Sequence, residues 1–131
     1  MTGTNQTVLW VLRILSAIVL LAIGGIHLFL VFDGVGGVLG VLFVLQAIAG
    51  LVLAIGMLVL HERLLVLATI LSLLFVIASL AALLLALTVG FFGITETWDF
   101  TLVIPTVIVE AIGVVVLAIA SVVVLRPPLV A

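Results

Sequence analysis

Apolar residues fill four long runs of this chain, 14–32, 38–60, 64–92 and 102–125, and the Asp, Glu and Arg residues other than Glu110 all lie outside them. Each run reaches the ~20 residues that a helix needs to cross a ~30 Å hydrocarbon layer. The pattern therefore predicts an all-α fold, an integral membrane four-helix antiparallel bundle with short loops, built as a single domain over residues 1–131. The first break, Asp33-Gly34-Val35-Gly36-Gly37, carries glycines that permit the positive φ of a tight reversal. The second is the charged cluster His61-Glu62-Arg63. The third run, taken as one helix to Phe92, is ~43 Å long and would tilt or protrude. A polar loop over 93–101 follows, with Glu96, Trp98 and Asp99. Pro105 falls in the first turn of the last run, where its missing N–H costs little, and Arg126-Pro127-Pro128 ends it. The polar start, Met1 to Thr7, has no Lys or Arg. The run after it is longer than a secretory signal core and lacks a small-x-small cleavage site, so it reads as a retained helix.

Composition sharpens this picture. Of the 131 residues, 69% are hydrophobic and 6% charged, against about 25% charged in ordinary soluble domains, and the mean hydropathy is +1.87. Such a chain has a lipid bilayer as its expected surroundings. No cysteine is present, which excludes disulfides and thiolate ligation. The net charge of −2 and the lack of any basic cluster argue against nucleic acid as a partner. Arg13, Arg63 and Arg126 fall on one side of a four-span arrangement, and Asp33, Glu96 and Asp99 on the other. The positive-inside rule then places both termini in the cytoplasm and the chain in the cell membrane. Trp10 and Arg13 suit an interface, where the guanidinium can snorkel to water without burial.

The candidate chemistry lies inside the runs. Glu110 is an ionisable residue in an apolar span, a functional candidate by its cost alone. Counted inward from the acidic side, His27 is ~9 Å from Asp33, Gln46 ~13 Å from Gly37 and Glu110 ~12 Å from Leu102, with Ser79 at a similar depth. These four form an expected intramembrane polar layer in which Glu110 accepts from His27 and Gln46 and shares a proton with the imidazole. A plainer role stands beside it: Gln46 and Ser79 as interhelical hydrogen-bonding glue, at about 0.6 kcal/mol each. Glu96, Trp98 and Asp99 make an acidic, aromatic cap on the non-cytoplasmic side or an ordinary interfacial belt. His27 and His61 belong to opposite ends, which disfavours a bis-histidine haem. Two ligands, His27 and Glu110, make a poor metal site, so none is expected. A quinone site asks only for a His or acid beside an apolar slot, which the same pair supplies. No nucleophile, base and orienting acid converge to suggest a hydrolase.

Small residues at four-residue spacing, Gly36 with Gly40, Gly50 with Ala54, and Ala78 with Ala82 and Ala86, allow close helix approach. Gln46-Ala47-Ile48 and Leu53-Ala54-Ile55 also align without gaps on Glu110-Ala111-Ile112 and Leu117-Ala118-Ile119. That spacing suggests a parallel repeat of two hairpins, with Gln46 and Glu110 as counterparts.

Leu12-Arg13-Ile14-Leu15 followed by Gly24-Gly25-Ile26-His27-Leu28, then Gln46-Ala47-Ile48-Ala49-Gly50-Leu51 through Gly56 and Arg63, resembles the first half of DoxX-like four-helix membrane proteins. Gln46 stands where that family usually has an acid, and Arg63 is displaced by several residues. Thr95-Glu96 and Val109-Glu110 are similar to small four-span membrane proteins of actinobacterial type. The DoxX resemblance implies a respiratory or redox membrane complex with quinol-linked partners. Three functional readings follow, in order: a non-enzymatic accessory subunit of such a complex; a proton-coupled transporter or channel acting as a homo-oligomer through Glu110; and a quinone-binding membrane protein.

Overall fold

A computed structural model describes residues 3–126; residues 1, 2 and 127–131, including Pro127 and Pro128 of the expected stop, lie outside the described residues. Four helices make up the fold: α1 Gly3–Phe32, α2 Gly37–Val59, α3 Glu62–Leu87 and α4 Val103–Leu125. Each is long and apolar enough to cross a membrane. α1 packs along α2 and α4, α3 packs along α4, and α2 packs more lightly on α3.

Two boundaries differ from the sequence expectation. α1 begins at Gly3 and absorbs Trp10 and Arg13 into the helix, since nothing in the polar opening breaks a helix once it is nucleated. α3 stops at Leu87 instead of continuing to Phe92. Thr88 turns its amide back to Leu85 and its hydroxyl to Leu84, and Gly90 takes φ +95 and Gly93 φ +80. Phe91 and Ile94 then pair backbone to backbone, each N–H meeting the other's carbonyl at 2.9 Å. Hydropathy marks residues that avoid water, and a folded-back loop over apolar helices satisfies that as well as another turn of helix does.

Arg13 is a correction. Its side chain is only 2% exposed, with Nε donating to the Met57 carbonyl at 2.6 Å and an Nη to that of Leu60 at 2.7 Å, and it lies 4.0 Å over the Trp10 ring. The last carbonyls of α2 have no donors within their own helix. A guanidinium has a fixed fork that satisfies two acceptors at once, and its charge suits the negative end of the helix.

Glycines set the helix spacing. A Cβ on Gly50 would stand 2.9 Å from the Leu20 carbonyl oxygen, and one on Gly24 would stand 3.3 Å from that of Ala47, so α1 and α2 meet backbone to backbone. At Gly113 three helices converge: a Cβ there would lie 2.5 Å from Val19 Cγ1 and 3.1 Å from Val76 Cγ1. Leu20, Ile23, Met57, Val76 and Leu117 are fully buried around this axis. The outward faces carry Ile18, Leu21, Val52, Leu67, Leu74, Ile108 and Val115 in the open.

Candidate functional site

Gln46 on α2, Ser79 on α3 and Glu110 on α4 are joined in one chain of hydrogen bonds. Gln46 Nε2 donates to Ser79 Oγ, and the Ser79 hydroxyl donates to Glu110 Oε1 at 2.5 Å. Glu110 is 0% exposed, and its second oxygen, Oε2, has no hydrogen-bond partner. The two residues that the internal repeat pairs, Gln46 and Glu110, are thus linked, with Ser79 as the intermediary rather than directly.

His27 stands apart from this chain, against the expectation that Glu110 accepts from it. Its Nδ1–H donates to the Ile23 carbonyl one turn back on α1 at 2.7 Å, and its ring meets Phe43 edge to face at 4.7 Å. Helical rise gives the reason. Val19, Gly113 and Val76 mark a common level; from it, Ser79 and Glu110 rise ~4.5 Å toward the end bearing the 33–36 and 88–102 connections, and His27 rises ~12 Å. Counting inward from loops hid this difference because the helices do not end at one height.

Between these groups and the 88–102 connection lies a cavity of about 140 Å³, close to the ~150 Å³ that houses a benzene ring in an engineered protein core. Its polar floor of His27, Gln46, Ser79 and Thr106 slopes, Ser79 lying deep and Thr106 and His27 standing ~6 Å and ~7.5 Å nearer the connection, and Phe43 and Leu42 stand on one wall. On the α3 side the wall is Ala82 and Ala86, whose missing bulk leaves the space that the sequence pattern assigned to helix contact. Phe91, Ile94, Glu96 and Phe100 make the roof, and the Glu96 amide pins it by donating to the Ala86 carbonyl at 2.9 Å.

The floor is rich in acceptors. The hydroxyl of Thr106 is spent on Leu102 O at 2.5 Å, that of Ser79 on Glu110, and the Nδ1 proton of His27 on Ile23 O. With Nδ1 protonated, neutral imidazole presents Nε2 as a lone pair. Gln46 commits one N–H to Ser79 and retains its carbonyl oxygen and the other N–H. These groups offer a guest lone pairs from His27 and Gln46, with the second Gln46 N–H as a donor.

Of the two acidic loop residues expected to cap the site, Glu96 lines the cavity and Asp99 does not. Partial burial pushes the Glu96 carboxyl above its usual range, whereas a hydrogen bond from the Thr97 side chain, helped by the Asp99 backbone amide, holds Asp99 below it. Arg63 lies exposed in the first turn of α3 and Arg126 just past the last turn of α4. With Arg13 at the end of α2, all three stand at the end away from the cavity. Thr106 and Phe43 escaped the sequence reading; Thr106 sits one turn before Glu110 on the same helix face, a signal that i, i+4 spacing carries. Among the described residues, no three His, Asp or Glu side chains gather into a group that could hold a metal ion.

Comparison with protein-family models, with curated proteins and with solved structures finds no match for this chain.

Proposed function

We propose that this chain is a non-enzymatic integral membrane protein, a four-helix antiparallel bundle that holds a small lipid-soluble molecule in the cavity above Gln46, Ser79 and Glu110. The bundle reading is supported by the order of contacts along α1 and α2, where Arg13 meets Leu60, Leu20 meets Gly50 and Gly24 meets Ala47. The membrane reading is supported by outward faces of Leu, Ile and Val on all four helices, which would aggregate in water.

The observation that carries the functional proposal is the cavity itself: ring-sized, apolar in its walls, with polar atoms converging at one end. The floor selects a guest that donates, such as the hydroxyl of a quinol or an ammonium group. Such a protein serves as the small subunit that holds a membrane-dissolved molecule for a larger complex. The test is an organic extract of the gently purified protein, analysed by mass spectrometry beside Ala82→Phe, whose ring fills the cavity. A ring compound retained by the wild type and lost from the variant is the expected result; equal recovery from both would overturn the reading.

A second reading, proton-coupled transport through Glu110 in an oligomer, draws on one observation, the unpartnered and fully buried Oε2. It requires proton flux in proteoliposomes that Glu110→Gln abolishes.

A further inference from the structure

We infer that the guest of this cavity is a small hydrophobic cation, an ammonium group carried on a single ring or a chain of similar bulk. This rests on the proposal that the cavity binds a lipid-soluble molecule, and it names the charge of that molecule.

Three independent features agree. The first is hydrogen bonding. His27 Nε2 is a lone pair on a side chain only 6% exposed, and its ring faces the cavity. Thr106 and Gln46 line the same cavity, with the Thr106 hydroxyl proton already engaged. An ammonium brings several N–H donors to such a cluster, and charge-assisted hydrogen bonds are about twice as strong as neutral ones.

The second is the sign of the field. Glu96 lines the roof, Asp33 and Asp99 belong to the two connections at the same end, and Glu110 lies behind the floor on the far side of Ser79. Every arginine of the chain is at the opposite end. A cleft of one sign with low-dielectric walls concentrates the opposite ion. An anion would meet these acidic groups, and the one basic side chain among the lining residues is His27, whose Nε2 is a lone pair.

The third is the aromatic lining. Phe43 stands on one wall, and Phe91 and Phe100 belong to the roof, so aromatic rings line the space on more than one side. Aromatic enclosure is the usual surrounding for an organic ammonium, since the ring quadrupole attracts cations that are too weakly hydrated to prefer water. A neutral quinol would use the lone pairs and the rings but would gain nothing from the acidic mouth.

The experiment uses three probes of equal size, benzylammonium, benzyl alcohol and benzoate, titrated into the full chain in phosphatidylcholine nanodiscs. The zwitterionic lipid keeps the bilayer from favouring one charge. Calorimetry or saturation-transfer NMR reads the affinity, with Ala82→Phe as the filled-cavity control. Benzylammonium is expected to bind about tenfold more tightly than benzyl alcohol, from the added charge and ring contacts, with benzoate weakest. Glu96→Gln, which lies outside the helices, is expected to shrink that preference severalfold. If benzyl alcohol binds as well as benzylammonium, the cation inference is overturned and the cavity reading stands. If neither binds, or if both bind Ala82→Phe as they bind the wild type, the cavity reading fails and the inference fails with it.

Discussion

Gly113 is the residue on which the interior turns. A methyl group there would press into Val19 and Val76 at once, two β-branched side chains whose χ1 has little freedom to yield in a helix. Gly113→Ala is therefore expected to cost about 1–3 kcal/mol through overpacking, although alanine is the better helix former. Reversible unfolding in mixed micelles checks this; unchanged or raised stability would show that the helices part easily. Gly50 faces a harder obstacle, a backbone oxygen rather than a flexible side chain. The sequence marks Gly50 as a close-packing position by its spacing to Ala54 but gives no such hint for Gly113. Its partners are on α1 and α3, and which helices adjoin α4 is not written in α4. Glu110, by contrast, is legible from sequence because its cost in an apolar run is a property of the residue itself. That His27 would turn to its own helix is not legible, since a carbonyl one turn back is available to any helical histidine.

At the scale of elements, two features lend themselves to measurement. Arg13 closes the end of α2 from a neighbouring helix, so Arg13→Met, which keeps the length and apolar stem, is expected to lose about 1.5–3 kcal/mol, the range for hydrogen bonds to a charged group. Amide exchange should rise mainly in the last turn of α2, around Gly56 to Leu60; a uniform rise across all helices would argue for a packing effect instead. The roof over the cavity is the second feature. Burial raises the Glu96 carboxyl, so closing the roof favours its protonated form. That contribution is fully present below the ordinary carboxylate range and is lost as pH rises through the raised value. Exchange of the roof amides, Glu96 and Ile94 among them, should quicken across that window, and Glu96→Gln should remove the dependence. The four helices themselves could be read from the apolar runs, because length and hydropathy are local. The end of α3 could not, because Phe91 and Ile94 are apolar for the sake of the cavity they cover.

Taken whole, the molecule separates charge along its length: the arginines, with Glu62 among them, at one end, and Asp33, Glu96, Asp99 and the cavity at the other. In a membrane this polarity fixes orientation as well as electrostatics, and it predicts both termini on the cytoplasmic face. Reporter fusions at the N-terminus and after Arg126 should both report cytoplasm, and a tag inserted at Gly93 should be reached from outside; a split result for the termini would overturn the orientation. The same prediction puts the mouth of the cavity, with Phe91 and Glu96, on the outer side. Beneath the floor, Val19 and Val76 close on Gly113 with no room for a methyl group between them. The molecule is in that sense a cup and not a pipe. On the proposed reading, a guest on Gln46 and His27 leaves by the way it came, and its lifetime in the protein is expected to follow how often the lip at 88–102 lifts, not any difference in concentration between the two sides of the membrane.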